Sequence, residues 1–80
     1  MNANEIIKKL DEMVSNKVNM LNAALDSGKP FEEQSEGWKR RFNELNGLVI
    51  FAKNIDKNWH IELDTDKSYN LKSIRIVNWH

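Results

Sequence analysis

Trp38-Lys39-Arg40-Arg41-Phe42-Asn43-Glu44-Leu45-Asn46-Gly47-Leu48-Val49-Ile50-Phe51-Ala52-Lys53 is the stretch on which the fold turns. Trp38, Phe42, Leu45, Val49 and Ala52 are spaced by four, three, four and three residues, which keeps them on one face of a helix. Asn46-Gly47 interrupts that pattern, and Leu48-Val49-Ile50-Phe51 has the β-branched and aromatic composition of a strand. If Gly47 ends the helix, residues 48–53 form a strand and the chain is ααβββ. If the helix runs on to about Asn54, accepting roughly 1 kcal/mol for an interior Gly relative to Ala, the chain is ααββ. The stripe stays in phase through Val49 and Ala52, which a strand would not require, so the longer helix is the preferred reading.

Upstream, Ile7, Leu10, Val14, Leu21 and Leu25 recur at helical spacing, and an amphipathic helix is expected from about Asn4 to Ser27. Ile6, Met13, Met20 and Ala24 make an adjacent stripe, so the apolar face is too wide for one neighbour to cover. Asn2, three residues before Glu5, offers an N-cap oxygen, and Gly28 followed by Pro30 is a stop signal. The second helix then begins after Pro30 or after Ser35, with Glu32, Glu33 and Glu36 at the positive end of its dipole.

Downstream, Asn54 to Asn58 reads as a turn, after which Trp59, Ile61 and Leu63 alternate with His60, Glu62 and Asp64 in a half-buried strand. Residues 64–70 are polar loop. In a last strand from Leu71 to Trp79, Ile74 and Ile76 share one face and Leu71, Arg75, Val77 and Trp79 the other. Two strands alone are marginal, so the antiparallel hairpin must lie against the helices. The fold class is α+β, an N-terminal helical hairpin followed by a C-terminal β-hairpin.

The 80 residues are read as one domain, because a chain this short buries only roughly 60% of the surface it exposes when unfolded. A core of this size supplies roughly 3–5 kcal/mol, and small domains commonly add disulfides, a metal or a second subunit. With no Cys, disulfides and thiolate zinc sites are excluded, which leaves oligomerisation and a homodimer as the expectation. No apolar run approaches the ~20 residues of a membrane span, and Met1 to Leu10 does not resemble a signal peptide, so a cytoplasmic location without membrane contact is expected. Lys plus Arg equals Asp plus Glu at 12 each, which gives no overall field toward phosphate backbones. Asn recurring beside Lys and Ile is the composition of an AT-rich genome, as in small chains of phages and mobile elements.

Three motifs invite a chemical reading, and each has a plainer one. Lys39, Arg40 and Arg41 between Trp38 and Phe42 resemble a nucleic-acid contact, but helical geometry spreads them around the axis, and Glu36 and Glu44 are spaced to pair with Arg40. Asp64 to Asn70 begins like a calcium loop, yet has Tyr69 where the sharp turn needs Gly and Arg75 where a bidentate acid belongs. His60 and Glu62 share a strand face, but two His and an acid fall short of a metal site, and no Ser-His-Asp grouping or phosphate loop is present. No catalytic residue, metal or cofactor is expected. Met13 and Met20, a heptad apart, read first as gap-fillers of the core, with an adaptable binding surface as the other reading.

The expected function is a non-enzymatic protein-interaction module, for instance a phage- or prophage-encoded inhibitor or adaptor acting on a host protein. Its partner or dimer surface would comprise Val77, Trp79 and His60 on the outer sheet face together with Met13 and Met20. The alternative is a small nucleic-acid-binding regulator using Lys39, Arg40 and Arg41.

Overall fold

The second helix does not stop at Gly47. In the computed structural model, which describes residues 2–56 and 58–78, α2 spans Glu36–Ile55 and runs through the glycine without a break. Before it come α1, Ala3–Ala24, and a 3-10 turn, Phe31–Glu33; after it come β1, Trp59–Thr65, and β2, Leu71–Asn78. The strands pair antiparallel, so the arrangement is ααββ, and residues 48–53 are helix. Val49 and Ala52 supply the reason. Both are buried in one cluster with Trp38 and Leu45, and a helix ending at Gly47 would take them out of that core. Gly47 is exposed, with open space where a Cβ would stand, so its cost to the helix is propensity alone.

Each helix start is capped by a side chain. Asn2 Oδ1 accepts the Glu5 N–H at 2.9 Å, and Ser35 Oγ accepts the Trp38 N–H at 3.1 Å. The first helix ends at Ala24, short of the expected Ser27. Gln34 is the cause: its buried amide accepts the Asp26 N–H at 2.9 Å and donates to the Asp26 and Lys29 carbonyls at 2.9 and 3.2 Å, drawing Asp26 out of the helical ladder. Gly28 is not the helix cap. It sits at φ 89 within a turn closed by the Lys29 N–H on the Asp26 carbonyl at 3.3 Å.

That turn also protects the sheet. The Gly28 N–H donates to the Leu71 carbonyl and the Leu71 N–H donates to the Lys29 carbonyl, both at 2.9 Å. Further along β2 the Asn22 amide repeats the pattern, donating to the Ile74 carbonyl at 3.0 Å and accepting the Ile74 N–H at 2.8 Å. The edge of β2 away from β1 is thereby satisfied at Leu71 by a loop and at Ile74 by one helix side chain.

The register corrects the expected facing of Leu71. Asp64 pairs with Ser73 but Thr65 pairs with Leu71, so Lys72 is an extra residue on β2, a bulge. The bulge turns Leu71 into the core beside Ile74, away from Arg75 and Val77. Trp59 is fully buried under α2, though its indole Nε1 has no hydrogen-bond partner among the described residues. Trp38 is also buried, and its Nε1 donates to the Leu21 carbonyl at 2.9 Å, in the last turn of α1 where carbonyls lack helical partners. Phe42, on the same apolar face, is only half-buried and stacks on Trp38 at 5.5 Å, with Phe31 edge-on to both.

Candidate interaction surface

Helices and sheet make two layers measuring 41 × 24 × 17 Å, which leaves one face of each layer without a neighbour among the described residues. On the sheet this face carries His60, Glu62 and Asp64 opposite Val77, Arg75 and Ser73. It is a polar network. Arg75 bridges Glu62 and Asp64, Ser73 donates to Asp64 at 2.9 Å, and His60 Nε2 lies 3.6 Å from Glu62. Val77 and His60 are brought directly opposite each other, both half-buried, while Trp79, expected to join them, lies outside the described residues.

The loop between the strands is tied by its own carboxylate. Asp66 accepts the N–H groups of Asn70 at 3.0 Å and Ser68 at 2.8 Å, and these bonds, Asn70's first, hold its carboxyl below the ordinary aspartate value. Tyr69 adopts φ 65, the left-handed conformation that its bulk argued against from sequence. Among the described residues no three His, Cys, Asp or Glu side chains are grouped to hold a metal ion.

The basic segment diverges. Lys39 is held by Glu36 at 2.8 Å and by the Glu32 carbonyl at 3.2 Å, and this pairing keeps the Glu36 carboxyl below its usual value. The expected pairing of Arg40 with Glu36 and Glu44 does not form, because Lys39 takes Glu36 and Lys17 of α1 takes Glu44 at 3.0 Å. Arg40 points to solvent, whereas Arg41 lines a depression of about 220 Å³ between the helices with Lys17, Met20, Leu21 and Glu44. Below the roughly 300 Å³ at which ligand pockets begin, it is a poor enclosure for a small molecule.

The apolar face lies on the helix layer. Met13 and Met20 are 49% and 54% exposed, which removes the reading of them as core filler. Leu21 touching Trp38 and Lys17 paired with Glu44 fix the antiparallel register of the helices, so Met13 is level with Leu48 and Ile6 with Ile55. Leu48, Phe51 and Ile55 follow at three- and four-residue spacing along α2, on the side turned to α1 and solvent. Phe51 is 53% exposed and Ile55 38%. Ile6 and Leu48 pack partly on the core beneath. The outcome is an apolar strip along the outer seam of the helix pair, with Arg40 and Arg41 at one end and Glu5, Lys8 and Lys9 grouped at the other. The Met stripe of α1 was visible from periodicity. The α2 half was not, because residues 48–53 also read as a strand, although the spacing of Leu48, Phe51 and Ile55 carried the signal.

Among the described residues no helix is long and apolar enough to cross a membrane. Comparison with protein-family models, with curated proteins and with solved structures yields no match to this chain.

Proposed function

We propose that the chain is a non-enzymatic protein-interaction module whose docking surface is the outer seam of its helix pair. The observation that carries this reading is the alignment of Met13, Met20, Phe51 and Ile55 in one solvent-facing strip of a domain whose buried core is formed without them. Exposed apolar residues scattered singly need no explanation, but a continuous strip edged by charge is the form that protein contacts take. Methionine and phenylalanine suit such a surface, since both offer large apolar area and the thioether adapts to its neighbour. An inhibitor or adaptor of a host protein would act through this strip by covering, or bridging to, a surface of its target.

Affinity purification from native cells tests it, comparing the parent chain with a Met13→Lys/Phe51→Lys variant. Support would be proteins, second copies included, that the parent retains and the variant loses while its melting temperature is unchanged. Equal retention by both would overturn the reading.

A further inference from the structure

We infer that the outer edge of β1 takes an extended segment of another protein as a third strand, at a surface separate from the helix seam. The direction of the Ile74 main chain decides which groups are available. Its N–H and its carbonyl both go to Asn22, on the side of β2 away from β1. Ile74 and the opposite Leu63 are therefore a non-hydrogen-bonded pair, and two residues along so are Ile76 and Ile61. Leu63 and Ile61 thus aim their own N–H and carbonyl groups outward, past the other edge of the sheet. Among the described residues no hydrogen bond meets them there.

The two edges of the sheet are treated differently. That of β2 is met at Leu71 and Ile74. That of β1 has no Pro and no Lys, and its register is regular from Trp59 to Asp64, so it lacks the devices that keep an edge from pairing. Glu62 and Asp64, whose charge could guard it, are drawn toward β2 by Arg75 and Ser73. Leu63 shows the same gap from the inner face. It stands opposite the buried Ile74 and is still 43% exposed, because no strand flanks it on its other side.

Space selects the occupant. In the two layers α1 packs on β2 and α2 on β1. Packed helices stand roughly 8–10 Å apart and paired strands about 4.8 Å, so α2 overhangs the edge of β1. A third strand fits beneath that overhang. Every second side chain would lie beside Ile61 and Leu63, under the flank of α2 turned from α1, which carries Phe42, Asn46 and Lys53. A second copy of this chain does not fit. Pairing β1 antiparallel with the partner's β1 would bring the two α2 axes within about 2 Å of each other, and a two-fold axis along the strands would set N–H against N–H. Charge does not enter the choice, since Glu62 and Asp64 share Arg75 and the neighbouring loop offsets Asp66 with Lys67 and Lys72. What this edge recognises is an extended backbone with apolar side chains at alternate positions, bound through its main chain as in strand addition.

The probe is a capped peptide of about nine residues alternating Val with Thr and Lys, and the readout is amide hydrogen exchange in the full chain by NMR. In the free protein the Ile61 and Leu63 amides should exchange about tenfold faster than those of Glu62 and Asp64, and saturating peptide should slow them by about tenfold or more. N-methylation of one alternate set of peptide amides should abolish binding and of the other set should not, because only one set faces β1. Leu63→Pro removes an outward N–H and no bond between the strands, so it should fold and bind the peptide about tenfold more weakly or worse. Phe51→Lys, on the helix seam, should bind the peptide as the parent does, which keeps a failure of this edge distinct from a failure of the seam. Amides of Ile61 and Leu63 already as protected as Glu62 in the free protein would overturn the inference. So would protection that rises with protein concentration alone, which would put a second copy at the edge. Peptide that leaves both amides unprotected, or that binds whichever set is methylated, would overturn it as well.

Discussion

Asn22→Ala should destabilise the fold far more than its exposed position suggests. The Asn22 amide makes two bonds, both to the backbone of Ile74, a residue only 1% exposed. Truncation leaves one N–H and one carbonyl of β2 without partners, at about 1–3 kcal/mol each when water cannot reach them. Alanine returns up to about 0.7 kcal/mol in helix propensity. Because Asn22 stands at the surface, water entering the vacated space lowers the loss, and a net cost of about 2 kcal/mol is expected, a large share of what a domain this small possesses. Asn22→Asp should fare no better, since it keeps the acceptor for the Ile74 N–H but sets a carboxylate against the Ile74 carbonyl. Urea unfolding followed by tryptophan fluorescence measures the change, with Asn16→Ala on the exposed polar side of α1 as a control expected within about 0.5 kcal/mol of the parent. If Asn22→Ala matched that control, the amide would not be protecting the sheet edge and this account of how α1 holds β2 would fail.

Other substitutions probe separate parts of the argument. Gly47→Ala should stabilise by up to about 1 kcal/mol, since its Cβ enters open space in a continuous helix; a loss in calorimetry would contradict the long α2. Trp38→Phe, which removes the indole bond to the Leu21 carbonyl as well as volume, should melt well below Trp59→Phe, whose lost N–H had no partner; the reverse order in thermal scans would refute the two assignments. Tyr69→Gly should raise the unfolding free energy measured in urea by about 1 kcal/mol, because an 80% exposed ring gives little packing to set against a left-handed backbone; an unchanged or lower value would mean the tyrosine contributes more than its exposure indicates.

Much of this fold was legible in sequence because local signals and burial agree. The stripe from Trp38 to Ala52 carried the helix across Gly47, and Asn2 and Ser35 stood where caps were needed. What sequence did not disclose depended on contacts between distant segments. Nothing in the spacing of Asn22 or Gln34 announces that one amide will serve a strand edge and the other will end a helix, since each partner lies in another element or across a turn. Strict alternation likewise put Leu71 on the wrong face, because a one-residue bulge reverses facing without altering composition. At the candidate surface, Met13 and Met20 were recognisable as a stripe, but whether a stripe faces core or solvent depends on how many neighbours the fold provides. Here α1 receives one helix and one strand, too few to reach around it.

Phe51→Lys addresses the central claim, that the outer helix strip exists for association and not for the fold. At a dilution where the parent is monomeric, its unfolding free energy in urea should remain within about 0.5 kcal/mol of the parent, as for a surface substitution. Light scattering on concentrated protein should then show the parent at twice 9.4 kDa and the variant at the single-chain mass. A variant that unfolds, or one that stays folded and keeps the parent's mass, would contradict the claim: the first would make Phe51 part of the core, and the second would take the strip out of the interface.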